Sequence, residues 1–323
     1  MREALEVGTP VALPGAADFD FPARTPFELF RRRFREDRLA MAALVFLGFL
    51  VVVAIAAPLI VSIAGTPAPS VRDTGSLDVF GTPTAPSSAH PFGVDQIGRD
   101  VFSRTIYGAR VSLFVAFLAT GLATMVGVVA GLLAGYLRGW VDTLVSRSID
   151  VLLAIPYLLL ATGLAASCSL GDGCFGGLLK PGLGVVIFVI AFTSWTPIAR
   201  IVRGETLSLR EKEFVEAARS VGSGNTRIIF TEILPNLVAP IIVYASVLVP
   251  QVILIEAALS FLGVGVQDPT ASWGQMLSDA TQIFDTAWWY MLFPGIALLL
   301  TVVAFNLVGD ALQDALNPKA SRK

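Results

Sequence analysis

The sequence offers few side chains able to do covalent or metal chemistry. Among 323 residues there is one histidine, His90, and two cysteines, Cys168 and Cys174. That supply excludes a four-thiolate zinc site and leaves little for imidazole-based catalysis, so His90 reads as structural. No GxxxxGK[ST] phosphate loop occurs. GVGVQDP and GDGCFGG are rich in glycine but lack the lysine–hydroxyl pair that holds nucleotide phosphates. Nucleophile elbows and HExxH helices are missing too, so the sequence predicts no enzyme, no metal and no cofactor of its own. What remains is a set of isolated polar groups. Glu256 lies inside the apolar run VILIEAALSFLG. A charge at the centre of a bilayer costs roughly 2.5–3.5 kcal/mol on insertion scales. Glu256 is therefore expected to face a cavity, a polar partner or the outer surface, and hydrogen bonding to a neighbouring helix suits it as well as contact with cargo. Gln251, Asp150 and Pro156 are weaker candidates for the same interior, Pro156 as a kink. Asp95, Arg99, Asp100 and Arg104 mix both signs within 90–113 and can pair with one another or with a partner protein.

The elements that must position these groups are apolar. Hydrophobic residues make up 54% of the chain, charged residues only 15%, and the mean hydropathy is +0.72. Soluble domains carry nearer 25% charge. This balance predicts an integral membrane protein, and a net charge of -2 gives no basis for nucleic-acid binding. Six windows supply the ~20 residues that a helix needs to cross a bilayer: 39–63, 111–135, 149–168, 183–201, 237–262 and 287–308. The fourth is the weakest, because it contains Thr193, Ser194 and Pro197. In the second, Gly127, Gly131 and Gly135 are spaced for close helix contact. No cleavable leader precedes the first window, which is itself long enough to span.

Eighteen of the 23 lysines and arginines fall before the first window, between the second and third, between the fourth and fifth, and after the sixth, when Arg200 at the end of the fourth is counted with the segment that follows it. Basic segments stay in the cytoplasm, so both termini are expected inside. This divides the chain into a cytoplasmic segment 1–38, a first span 39–63, an extracytoplasmic loop 64–110, a five-helix region 111–311 and a tail 312–323. Within 1–38, Phe27, Phe30 and Phe34 recur at helical spacing among arginines, the pattern of a helix lying on anionic lipid. A solvated charge run is the alternative.

The segment 202–235, between the fourth and fifth windows, is too polar for lipid and too regular for a linker. EKEFVEAARSV has a helical period ended by Gly222, and NTRIIFTEIL has a second, with Asn225 placed to cap it and Pro235 to stop it. Two short helices joined at a glycine turn result. Such a hairpin either packs on its own bundle or is presented to a soluble partner.

EAARSVG followed by ILPN resembles the EAA loop of ATP-binding-cassette importer permeases. The stretches HPFGVDQIGRDVFSRTIYGARVSL, RGWVD, DVLLAIPYLLLA, EAALSFLGVGVQDPTASWGQML and GDALQDALNPK extend that resemblance over about 27–319. Together they are similar to the C-type subunit of dipeptide/oligopeptide (and nickel) importer permeases, with Phe92 and Val94 departing from the family's outer-loop signature of His90, Asp95, Arg99, Asp100 and Arg104. The resemblance implies an all-α fold of the type I importer class: six transmembrane helices, an N-terminal elbow helix and cytoplasmic coupling helices. It also implies that Glu216, Ala217, Ala218 and Gly222 dock on an ATPase. Glu232 stands where the family often has histidine, so that position receives no assigned contact. The implied partners are a homologous B-type permease, two cytoplasmic ATPase subunits that bind ATP and Mg, and an extracytoplasmic substrate-binding protein, with this chain itself in a bacterial or archaeal inner membrane. Peptides are the expected cargo, with nickel, opines or oligosaccharides as alternatives. An ion-coupled secondary transporter is the more distant reading; it calls for an internal repeat and more intramembrane ionisable groups than the sequence has.

Cys168 and Cys174 fall between the third and fourth windows, on the expected outer side where oxidation persists. Gly171 and Gly173 allow the chain between them to turn, so a disulfide is expected, contributing about 2 kcal/mol for so small a ring.

Overall fold

The computed structural model describes residues 26–169 and 173–316, and they are helical with no strand longer than an isolated bridge. Helix α1 (Pro26–Glu36) precedes α2 (Arg38–Ile55), which Asp37 caps by accepting hydrogen bonds from the Leu39 and Ala40 amides at 2.9 and 3.0 Å. In α1, Phe30 and Phe34 stack at 6.0 Å, while the side chain of Phe27 lies outside the described residues. Helices α4 (Val101–Leu137), α5 (Gly139–Ala154), α6 (Tyr157–Ser169), α7 (Leu183–Arg210), α10 (Leu234–Phe261) and α12 (Trp288–Leu316) form the bundle. Shorter pieces complete it: α3 (Ala57–Ala64), α8 (Glu213–Ser220), α9 (Asn225–Arg227) and α11 (Trp273–Ala280). Among the described residues five helices are long and apolar enough to cross a membrane, and α5 with α6 supplies a sixth if that bent pair is one span.

Several boundaries differ from the sequence reading. The first window, 39–63, breaks at Ala56, after which Pro58 starts α3 at a position where its missing N–H costs nothing. Helix α4 begins at Val101, ten residues before the expected 111, because Asp100 caps it by accepting from the Ser103 amide at 2.6 Å. The third window is two helices bent by 92° around Pro156. Residues 202–210, expected in a loop, close α7. Pro235 does not stop the second hairpin helix either: a π-type turn (Ile228–Ile233) leads straight into α10, with Pro235 in its first turn. Nor does Asn225 cap. The residue before α9 is Gly224, and the Asn225 Oδ1 accepts a hydrogen bond from the Tyr136 hydroxyl at 2.9 Å.

The core is a tight seam between α4 and α7. A methyl group on Gly127 would sit 2.8 Å from the Trp195 carbonyl oxygen; on Gly131, 2.7 Å from that of Ala199; on Gly135, 2.9 Å from that of Arg203. No side-chain layer separates the helices there, and dispersion contacts between backbones hold them. Gly121, on the same helix, has no such neighbour within 4 Å. Around the seam, Val189, Ile190, Ile228, Ile233, Val252 and Ile253 are fully buried.

Candidate functional site

Three polar constellations stand out from this apolar frame. The first lies at the bundle end where α4 begins. His90, Asp95, Arg99, Asp100 and Arg104 are all at most 7% exposed. Arg99 donates from Nε to Asp95 at 2.6 Å and from Nη1 to Asp268 at 2.8 Å. Arg104 donates to the Gln275 Oε1 at 2.9 Å. The segment before α4 is thereby bolted to the segment around α11. Burial alone would lower Arg99, but Asp95 and Asp268 hold its guanidinium well above its ordinary value. Burial pushes Asp268 up, and the hydrogen bond and charge of Arg99 outweigh it, leaving that carboxyl below its usual value. Asp279 moves the other way: burial, with repulsion from Asp268, raises it despite a hydrogen bond from Tyr290. Three carboxylates around two guanidiniums account for the opposite signs.

His90 bridges Asp100, at 2.8 Å from Nδ1, and Ser76, at 2.8 Å from Nε2. A serine–histidine–aspartate order suggests a hydrolase relay. Here, however, the Ser76 hydroxyl is buried and donates to Asp73 at 2.7 Å, and Asp100 is occupied as a helix cap. The relay fastens the loop and presents no nucleophile. No sequence motif singled out Ser76, because its partners lie 14 and three residues away across an irregular loop.

The second constellation is inside the bundle. Glu256 is fully buried and accepts hydrogen bonds from Ser112 at 3.0 Å and Ser260 at 2.9 Å. Through these hydrogen bonds it joins α4 to α10. Gln251 and Pro156 are exposed, and Asp150 is exposed and paired with Arg200 at 3.2 Å. Of the four pathway or packing candidates, Glu256 is thus the buried one, and Asp150, Pro156 and Gln251 lie at the surface of the chain. At the same bundle end as the buried ion cluster, Cys168 and Cys174 are joined by their sulfurs, with Cα atoms 4.6 Å apart.

The third constellation is the hairpin at the opposite end. Val215, Ile228, Ile229 and Ile233 are buried against the bundle. On the outward side, Glu216 and Ala217 are exposed, Ala218 is half-buried, and Val221 is 87% exposed. Gly222 has φ +84°, a left-handed turn that costs other residues about 1–2 kcal/mol. Behind the hairpin, Arg210 and Arg219 approach the Tyr136 ring at 5.6 and 5.8 Å. Arg138 pairs with Glu211, and Arg203 makes a two-pronged contact with Asp142. Tyr136 thus ties the end of α4 to both helices of the hairpin, a role no local pattern in GYLRG announces.

The described residues thus form an all-helical bundle that carries an anchored, outward-facing hairpin, and its relatives identify that bundle as a transport permease. Residues 127–322 match the model of the binding-protein-dependent transport system inner membrane component family, and residues 25–72 match the N-terminal TM domain of oligopeptide transport permease C. The dipeptide transport system permease protein DppC of Alkalihalophilus pseudofirmus is 41% identical over 300 residues, which cover 93% of this chain and 92% of that protein. The glutathione transport system permease protein GsiD of Shigella flexneri is 44% identical over 296 residues, covering 92% and 91%. A solved inward-facing structure of the MetNI methionine ABC transporter aligns with a TM-score of 0.53 at 19% identity, over 66% of this chain and 96% of the other, and shows the shared fold. The chain belongs to the binding-protein-dependent inner-membrane permease family, as a C-type member of its dipeptide/oligopeptide branch.

Proposed function

We propose that this chain is one transmembrane half of an ATP-driven importer of short peptides. It pairs with a homologous B-type permease. Two ATPase subunits, which bind ATP and Mg, act on its hairpin from the cytoplasm, and a substrate-binding protein delivers cargo from outside. Both termini lie in the cytoplasm of a bacterial or archaeal cell. Peptide cargo follows from the dipeptide and glutathione permeases that the chain matches. The observation that carries the docking role is the hairpin's two-sidedness: aliphatic residues root it in the bundle, while Glu216, Ala217 and Val221 face outward beside a glycine turn. Small side chains at a protruding helix allow a groove to close around it. Access switches when the ATPases close and draw the hairpin, and with it α7 and α10, toward the partner permease.

The test is Gly222→Leu in the complete transporter. The variant is expected to reach the membrane at normal abundance but to lose peptide uptake and the stimulation of ATPase activity by loaded binding protein. Wild-type uptake by this variant refutes the docking role.

A further inference from the structure

Both acids of α5 are taken by arginines of α7. Asp142 pairs with Arg203, and Asp150 pairs with Arg200 at 3.2 Å. Arg147 stands between them on α5, exposed and without an ion pair among the described residues. It lines a cleft of about 490 Å³ whose other walls are Leu144, Ser148, Val151, Leu152, Phe192 and Trp195. The Ser148 hydroxyl donates to the Leu144 carbonyl at 2.9 Å, so Arg147 is the cleft's one charge among largely apolar walls. Phe192 and Trp195 also wall a second cleft of about 510 Å³, where no charged or hydroxyl side chain contributes.

Depth orders these features. Arg203 and Arg200 reach α5 on either side of Arg147, so Arg147 lies level with the inner end of the expected α7 span, at 201. From 201 back to Phe192, at about 1.5 Å per residue, is about 14 Å. Half of a ~30 Å hydrocarbon core is about 15 Å. The aromatic wall therefore covers the depth of one leaflet, and Arg147 marks its polar edge. Water suits the guanidinium but not the walls, and hydrocarbon suits the walls but not the guanidinium. A phospholipid satisfies both, because a guanidinium pairs well with phosphate and an acyl chain lies on aromatic and aliphatic side chains. Basic pockets between membrane helices on the cytoplasmic side are where anionic head groups bind. We propose that this cleft holds an anionic phospholipid of the inner leaflet, its phosphate on Arg147 and an acyl chain along Phe192 and Trp195. The proposal goes beyond the importer reading and rests on it for the orientation that puts Arg147 at the cytoplasmic face.

The experiment uses the complete transporter in phosphatidylcholine nanodiscs, with every native cysteine replaced by serine. Val151→Cys, in the cleft and 63% exposed, carries a bimane fluorophore. A small fraction of lipid bearing a nitroxide on its acyl chain is then added, either as phosphatidylglycerol or as phosphatidylcholine. Phosphatidylglycerol is expected to quench about fivefold more strongly per lipid, the preference that one basic residue confers. Arg147→Gln should bring it down to the phosphatidylcholine level, and Arg147→Lys should keep the preference. Equal quenching by the two lipids, or a preference that survives Arg147→Gln, overturns the site. So does a preference seen in the isolated chain but not in the assembled complex, because the partner permease then covers the cleft. The orientation is read separately: in proteoliposomes Thr143→Cys, exposed near the start of α5, should react with a membrane-impermeant maleimide only from the ATPase side. Reaction from the opposite side overturns the importer reading itself, a result distinct from the lipid outcomes.

Discussion

Gly131→Ala adds a single methyl group in the middle of the α4–α7 seam. Its carbon would lie 2.7 Å from the Ala199 carbonyl oxygen, 2.8 Å from Val202 Cβ and 3.0 Å from the Arg203 amide nitrogen. Comfortable carbon contacts are about 3.5–4.0 Å. Two of these neighbours are backbone atoms, so no rotamer change relieves the contact and α4 must move about 1 Å from α7. Gly127 and Gly135 hold the same seam on either side, so the displacement spreads along it. Overpacking of this kind costs about 1–3 kcal/mol. Gly121 provides the control: it lies on the same helix, a methyl group there meets no neighbour within 4 Å, and alanine removes a backbone entropy penalty of roughly 0.5–1 kcal/mol. With about 2–4 °C of melting temperature per kcal/mol for chains near this size, Gly131→Ala should lower the apparent melting temperature by several degrees, while Gly121→Ala leaves it level or higher. Fluorescence-detected gel filtration after heating the solubilised protein measures both. Equal shifts for the two variants, or an unchanged Gly131→Ala, would refute a backbone-to-backbone seam.

Other consequences can be checked with similar material. Arg99 holds Asp268 below its ordinary value, so this carboxylate stabilises the fold above about pH 3.9, its unfolded value, and that contribution is lost as pH falls through the lower folded value. Asp279 is raised, so its contribution has the opposite sign and is lost as pH rises through its folded value. Asp268→Asn should therefore flatten the acid limb of the melting profile, whereas an unchanged limb refutes the Arg99 pairing as its source. Glu256→Gln should preserve membrane abundance and transport. Glu256→Leu, which strands the Ser112 and Ser260 hydroxyls, should reduce abundance, and selective loss of transport in the glutamine variant would contradict a packing role. We propose that the Cys168–Cys174 bond forms in the cell and only tethers its loop: mass spectrometry of unreduced, alkylated protein should recover the cysteines linked, and the double serine variant should transport normally.

What the sequence disclosed follows from how locally each feature is encoded. Apolar runs near 20 residues mark the spans because hydropathy needs no knowledge of neighbours, and Gly222 marks the hairpin turn because its φ of +84° favours glycine. The first turns of α4 were hidden for the converse reason. GRDVFSRTIYGAR looks like a polar loop until Asp268 and Gln275, 169 and 171 residues away, supply partners for Arg99 and Arg104. Pro156 was legible as a kink, but a bend of 92° depends on what α6 packs against. Asn225 had the right residue type to cap a helix, and a tyrosine 89 residues earlier claimed its side chain. In each case the missing information was a distant partner for a polar group.

Helix α4 connects the two ends of this arrangement. Its 37 residues extend about 55 Å without a proline. At one end Asp100 caps it and accepts from His90, fixing it to the loop secured by the buried ion cluster. At the other end Tyr136 binds Asn225 and carries Arg210 and Arg219 against its ring. Between them the glycine seam presses α4 onto α7, whose last turn leads directly into the hairpin. Compressible side-chain layers would absorb a displacement at one end, whereas backbone contact transmits it. We propose that a force on the hairpin is passed to the opposite end as motion of the α4–α7 pair, with the Asp150–Arg200 and Asp142–Arg203 contacts between α7 and α5 positioned to shear. In that proposal the glycine seam makes α4 and α7 one rod, and the break at Pro156 separates α5 from α6.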